Sequence, residues 1–186
     1  MSRFTRTETP LAGLLCLERQ VLGDARGFLT RLFCAEELAD AGWTGAVAQV
    51  NHTYTAQRGV VRGLHFQHPP HAETKLVTCI RGAVWDVAVD VRAGSPTFLQ
   101  WHAVELSAQN HRSLLIPQGF AHGFQTLTED CEMVYLHSAP YVAQAEAGLS
   151  AQDPRLAIVW PLPIAELSPR DAQHPLLNAL FKGLTL

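Results

Sequence analysis

From residue 46 onward, apolar and polar positions alternate in short runs, at 46–54, 60–67, 74–81, 83–91, 98–107, 112–116, 123–128 and 131–138. Between them fall Gly59, Pro69-Pro70, Gly82, Gly94-Ser95-Pro96, Gln109-Asn110, Pro117-Gln118-Gly119 and Glu129-Asp130, residues that make turns. Period-two runs punctuated in this way predict a closed or two-layered all-β fold; a βαβ sheet would need helical patterns between the strands. Upstream, residues 11–22 alternate loosely and predict one strand or a pair of short ones reaching Gly23-Asp24, with Asp24-Ala25-Arg26-Gly27-Phe28 as a loop. A short helix is expected over 35–41, where Glu36, Glu37 and Leu38 favour helix and Gly42 ends it. Past Pro140 the strand signal fades. Ser168-Pro169-Arg170-Asp171 reads as a helix start, with Ser at the N-cap and Pro at the first helical position. The apolar tail 176–186 is expected to form a last helical turn on the barrel. No internal repeat or linker divides the chain, so residues 1–186 are read as a single domain with a few short peripheral helices.

Strand alternation also assigns faces. In 83–90, Ala83, Trp85, Val87 and Val89 share one face, while Val84, Asp86, Ala88 and Asp90 share the other. The second face is small and acidic, as expected of a strand turned toward a lumen that holds a polar ligand.

Composition narrows the partners. A net charge of −3, from 14 basic and 17 acidic residues without a like-charge block, gives no footprint for nucleic acid or an anionic membrane. The apolar stretch 11–17 is too short to span a bilayer. Cys16, Cys34, Cys79 and Cys131 are widely spaced and contain no Cys-x-x-Cys, so free thiols in a reducing cytoplasm are expected rather than a disulfide framework or a zinc ribbon.

The stretch Arg62-Gly63-Leu64-His65-Phe66-Gln67 carries the first candidate chemistry. With nine histidines in the chain most are inert, and His65 stands out by its company: Gln67 on the same strand face, Lys75 about one strand away, and Arg62 close in sequence. Arg62 and His65 differ in parity, so both face one cavity only if the strand bulges, and Gly63 is where a bulge costs least. His122, in Pro117-Gln118-Gly119-Phe120-Ala121-His122, stands in a motif that resembles the second half-motif of cupin barrels. The His-x-His pair of metal-binding cupins is missing, and Pro69-Pro70 prevents His68 and His71 from aligning on a strand, so no metal and no cofactor are expected.

Taken together, Gln49-Val50-Asn51, the run Gly59 to Gln67, Lys75-Leu76-Val77, the run Asp86 to Arg92, Ser95-Pro96-Thr97 and the run Ile116 to Phe124 resemble the dTDP-4-dehydrorhamnose 3,5-epimerase family over nearly the whole chain. The resemblance implies a cupin-type jelly-roll barrel, a homodimer, no metal, and a dTDP-4-keto-6-deoxyhexose substrate. A ketone at C4 acidifies C3–H and C5–H, so epimerisation needs a base on one face of the sugar and an acid on the other. By resemblance His65 is the base, Tyr135 the acid, Asp171 the carboxylate that orients His65, and Lys75 the charge that stabilises the oxyanion at O4. Arg26, Arg62 and Arg170 are implied at the diphosphate; Gln49, Asn51, His122 and Glu146 at polar groups of sugar or nucleotide; and Tyr141 against the thymine. The chain departs from the family at Arg31, where a Glu is usual, and at Arg170, where a Lys is usual. The rival readings are an epimerase of C3 alone or C5 alone, a metal-dependent cupin oxygenase, and a catalytically dead sugar-nucleotide binder, the last opposed by the presence of His65, Lys75, Tyr135 and Asp171 together.

Overall fold

The computed structural model describes residues 2–186. Its strands are β1 (Phe4–Glu8), β2 (Leu15–Arg19), β3 (Val21–Asp24), β4 (Gly27–Thr30), β5 (Gln49–Thr55), β6 (Val61–Gln67) and β7 (Lys75–Arg81). They continue as β8 (Ala83–Asp90), β9 (Trp101–Ser107), β10 (Arg112–Ile116), β11 (Phe120–Thr126), β12 (Cys131–His137) and β13 (Glu146–Gly148). Two short helices, α1 (Ala35–Ala39) and α2 (Pro169–Ala172), lie outside the barrel. A six-stranded sheet in the order β1-β2-β10-β7-β12-β5 faces a five-stranded sheet in the order β13-β6-β11-β8-β9. Every pairing in both is antiparallel, as in a jelly roll.

Alternation sorts the side chains into three layers. Val77, Cys79, Val84, Ala88, Leu114, Phe124, Met133 and Tyr135 point into the space between the sheets and form the central core. Leu76, Leu115 and Leu136, one residue out of phase, cover the outer face of the six-stranded sheet under Leu38 of α1 and Trp43. Val87 and Val89 do the same on the five-stranded sheet, beneath Leu149, Leu156, Leu177 and Leu184 of the C-terminal segment. The expected inward face of β8 is therefore correct, with Val84, Asp86 and Ala88 fully buried.

The expected elements from 46 to 138 match β5 to β12, with ends moved by up to three residues. Three expectations change. The loop 24–28 is the turn of a hairpin in which Val21 pairs with Thr30 and Asp24 with Gly27. β1 was not expected, because only Phe4 of its five residues is buried and a wet edge strand carries no apolar alternation. The tail 176–186 forms no helix; Leu184 instead makes a bridge to Arg92 and its N–H donates to the Val91 carbonyl. The cap at α2 is as expected: Ser168 Oγ accepts from the Asp171 N–H, with Pro169 opening the helix.

The bulge in β6 is present. Arg62 pairs with Phe124 and His65 with His122, so three steps on β6 match two on β11. Gly63 has a φ of 123°, and a Cβ there would lie 2.6 Å from Gly123 Cα and 2.8 Å from the His122 carbonyl oxygen. Only glycine allows the two strands to approach this closely while the extra residue turns both Arg62 and His65 toward one space.

Candidate active site

The two sheets enclose a cavity of about 1000 Å³ near one end of the barrel. His65 and Asp171 line it together with Lys75, Tyr135, His122 and Arg62. The two walls carry different groups: His65 is on β6 of the five-stranded sheet, and Tyr135 is on β12 of the six-stranded sheet opposite.

His65 Nε2 lies 2.7 Å from Asp171 Oδ1, and the Gly63 N–H donates to the other carboxylate oxygen at 3.1 Å. Burial by itself would raise the Asp171 carboxyl, but the bonds from His65 and Gly63 and the Arg170 charge outweigh it and hold it at about 2. An ionised carboxylate only accepts, so Nε2 carries the proton and donates. Arg170 Nη2 is 3.2 Å from the same nitrogen and acts there as a neighbouring positive charge. Nδ1 of His65 makes no hydrogen bond among the described residues. The dyad is assembled because α2 is capped by Ser168, which turns Asp171 under the bulge of β6.

Lys75 Nζ pairs with Glu73 Oε1 at 3.0 Å and donates to the His65 carbonyl at 3.3 Å. Gln67 Nε2 donates to Glu73 Oε2 at 2.9 Å, so a buried carboxylate and an amide fix where the ammonium sits. The Tyr135 phenol is 9% exposed, and burial, with Asp86 nearby, pushes its pKa up, which keeps it a neutral O–H donor at pH 7. His122 Nε2 is 3.0 Å from both Asp86 oxygens, and its ring stands edge-on to Tyr135 at 5.9 Å between centroids. Burial raises the Asp86 carboxyl against the opposing pull of His122 and Lys75.

At the rim, the Tyr141 hydroxyl donates to Glu146 Oε2 at 2.8 Å, and Arg170 Nη1 donates to both Glu146 oxygens, linking the mouth to the dyad. Gln49 Nε2 donates to Asn51 Oδ1 at 3.0 Å while its oxygen accepts from the Tyr141 N–H. Arg62 is braced by Thr55 Oγ1 and the Tyr54 carbonyl.

One expected binding residue is not brought in. Arg26 lies at the tip of the β3–β4 hairpin, with a side chain 90% exposed and paired to Asp24, outside the cavity of its own chain. Arg31 is likewise outside and paired with Glu37. Two cavity-lining groups were missed: Glu73 and His137. Glu73 lies two residues before Lys75 in the segment leading into β7, and His137 stands two residues after Tyr135 on β12, a parity signal present in the sequence. Burial, reinforced by the Lys75 charge, holds His137 at about 4, so a neutral imidazole lies stacked on Tyr135 at 6.3 Å.

Fold and cavity define a cupin-type barrel whose lumen is lined with groups able to exchange protons. The family model described as dTDP-4-dehydrorhamnose 3,5-epimerase matches residues 8–179. A relative of that description from Sinorhizobium fredii is 43% identical over 175 residues, covering 91% of this chain and 88% of its own. The crystal structure of the Bacillus anthracis dTDP-4-dehydrorhamnose 3,5-epimerase, with TDP and PPi bound, is 43% identical with a TM-score of 0.90, covering 94% of this chain and 99% of its own. The Legionella pneumophila dTDP-6-deoxy-D-glucose-3,5-epimerase, in complex with dTDP-4-keto-L-rhamnose, is 39% identical with a TM-score of 0.92, covering 98% of each chain. The chain belongs to the dTDP-4-dehydrorhamnose 3,5-epimerase family.

Proposed function

We propose that the chain converts dTDP-4-dehydro-6-deoxy-D-glucose to dTDP-4-dehydro-L-rhamnose, an isomerase step of dTDP-L-rhamnose and surface polysaccharide synthesis. The observation that carries this reading is the placement of the His65–Asp171 dyad and the Tyr135 phenol on facing sheets of one cavity, with Lys75 lining it. His65 Nδ1 takes the proton from C3 or C5, and the C–H electron pair moves into the C4 carbonyl to give an enolate. The Lys75 ammonium stabilises the oxyanion at O4, and Asp171 stabilises the imidazolium. Tyr135 returns a proton to the opposite face of the carbon, and repetition at the second carbon completes the inversion.

Arg62 and Arg170 meet the diphosphate, and Tyr141 offers its ring to the base. Gln49, Asn51, His122 and Glu146 supply the polar contacts. The relatives solved with TDP and with dTDP-4-keto-L-rhamnose support a deoxythymidine nucleotide in the same cavity.

The whole chain works as one domain and as a homodimer. Val21, Leu22, Phe28 and Leu29 are exposed on the β3–β4 hairpin, and Val50 and Tyr54 on the edge strand β5, an apolar surface suited to a second copy. Arg26, on that hairpin, meets substrate only if the hairpin is laid over the partner's cavity. No helix among the described residues is long and apolar enough to cross a membrane, and the four free thiols support a reducing cytoplasm.

The test is solvent deuterium. Incubation of dTDP-4-keto-6-deoxyglucose in D₂O should place deuterium at both C3 and C5. Label at C3 alone would make the chain a monoepimerase, and no label at either carbon would overturn the reading.

A further inference from the structure

Behind the dyad lies a third group that the proposed reaction does not use. His174 Nε2 is 3.5 Å from Asp171 Oδ1, the oxygen already engaged by His65, and the two imidazole rings stand edge to face with centroids 5.4 Å apart. His65 Nε2, Asp171 Oδ1 and His174 Nε2 all lie within 4.8 Å of one another, the one such triad among the described residues. His174 Nε2 is shut off from water and has no hydrogen-bond partner, an arrangement that costs free energy and leaves the nitrogen uncommitted.

The fold holds His174 in this position. Gly148 on β13 pairs with His65 on β6, and a Cβ at Gly148 would fall 2.3 Å from the His174 ring. The missing side chain beside His65 is therefore the slot that the His174 ring occupies.

We propose that this triad is an inhibitory site for a divalent transition metal, with Zn²⁺ the best match. Two imidazole nitrogens and one carboxylate oxygen are a borderline-soft donor set suited to Zn²⁺, with water as the fourth ligand once Arg170 has moved. Zinc bonds of about 2.0–2.2 Å in a tetrahedron place ligand atoms roughly 3.3 Å apart. Asp171 Oδ1 is 2.7 Å from His65 Nε2 and 3.5 Å from His174 Nε2, and the three ligand atoms lie within 4.8 Å of one another, so closing the site draws the two imidazoles together about the carboxylate. The opposing charge is Arg170, whose Nη2 is 3.2 Å from His65 Nε2 and whose Nε is 3.6 Å from Asp171 Oδ1; the metal must displace it from both, while its Nη1 stays bonded to Glu146.

Coordination at Nε2 moves the single proton of the neutral His65 ring from Nε2 to Nδ1. The lone pair that takes the substrate proton is then gone, so bound metal blocks abstraction while the cavity stays open to substrate. This inhibitory step rests on the proposed role of His65; the binding itself does not.

The experiment uses tag-free, chelator-stripped full-length protein titrated with Co²⁺ and read by its visible absorption, with Zn²⁺ titration calorimetry alongside. The wild type should bind one equivalent in the micromolar range, and Zn²⁺ should inhibit reversibly, with activity restored by chelator. His174→Ala and His174→Gln should keep metal-free turnover within about twofold, while affinity and inhibition both fall by roughly 10–100-fold. Absence of a Co²⁺ spectrum at millimolar metal, or unchanged affinity in both variants, would overturn the proposal. If neither variant folds, zinc X-ray absorption of the wild type decides: two imidazoles and a carboxylate support the triad, and a sulfur ligand or a single imidazole refutes it. A wild type that binds metal but exchanges no deuterium would refute the epimerase reading and leave the metal site standing.

Discussion

Replacing Asp171 by asparagine keeps the shape of the dyad and reverses its hydrogen-bond logic. The carboxylate now accepts twice, from the Gly63 N–H at 3.1 Å and from His65 Nε2 at 2.7 Å. A backbone N–H can only donate, so the new amide must turn its oxygen to Gly63 and its NH₂ to His65. Nε2 then becomes an acceptor, and the ring proton moves to Nδ1, the nitrogen the mechanism needs as base. Restoring the productive tautomer sets two donors against each other, a penalty of about 1–3 kcal/mol for an unsatisfied buried group. Losing the carboxylate charge beside the imidazolium adds about 2 kcal/mol. The sum is about 3–5 kcal/mol, or roughly 10²–10⁴ in rate. Substrate binding should change little, because the amide has almost the volume of the carboxyl. The assay is turnover of the 4-keto sugar nucleotide followed by NMR in D₂O, with dTDP affinity as the control for folding. A kcat for Asp171→Asn within tenfold of wild type would refute the dyad.

Tyr135→Phe removes only a hydroxyl, and with His65 intact, exchange at C3 should continue with retained configuration while epimerised product falls by roughly 10²-fold or more; equal loss of both, measured in the same NMR experiment, would count against a two-face mechanism. Stability should decline as pH falls from 6.5 toward 4, because the unfolded His137 takes a proton that the folded one, held at about 4, refuses. The full effect is about 3 kcal/mol, and urea titrations of His137→Asn should show a flatter pH dependence across that window. Asp171 acts lower: its depressed carboxyl contributes stability above about pH 4 that is lost as pH falls through about 2, visible as a loss of acid resistance in Asp171→Asn. Gly63→Ala should destabilise by about 3 kcal/mol or more, since its Cβ would meet the backbone of β11 at 2.6 Å; a thermal midpoint within a degree or two of wild type would show that the bulge relaxes.

What the sequence by itself determined was periodic and local. Alternation located the strands from β5 to β12 and turned Asp86 inward, because side chains on a strand repeat every two residues whatever the fold around them. The parity conflict between Arg62 and His65, with glycine between them, required the bulge. The Ser-Pro pair opened α2 at the right residue. The family resemblance named Asp171 as the partner of His65, although no local pattern connects residues 106 apart.

Only the tertiary structure decided what depends on which surfaces meet. β1 is wet on nearly every side chain and exists because β2 offers it a free edge. The C-terminal tail, helical in prospect, is extended because its leucines are needed over the five-stranded sheet and its backbone bonds with Val91 and Ala93. The same logic separates the polar residues. His174 reaches Asp171 from behind the dyad, and Arg26 leaves the site because a hairpin read as a loop carries the guanidinium away from the cavity. A period-two pattern says which way a side chain points; the pairing order of the strands, set by burial of both sheets at once, decides what it points at.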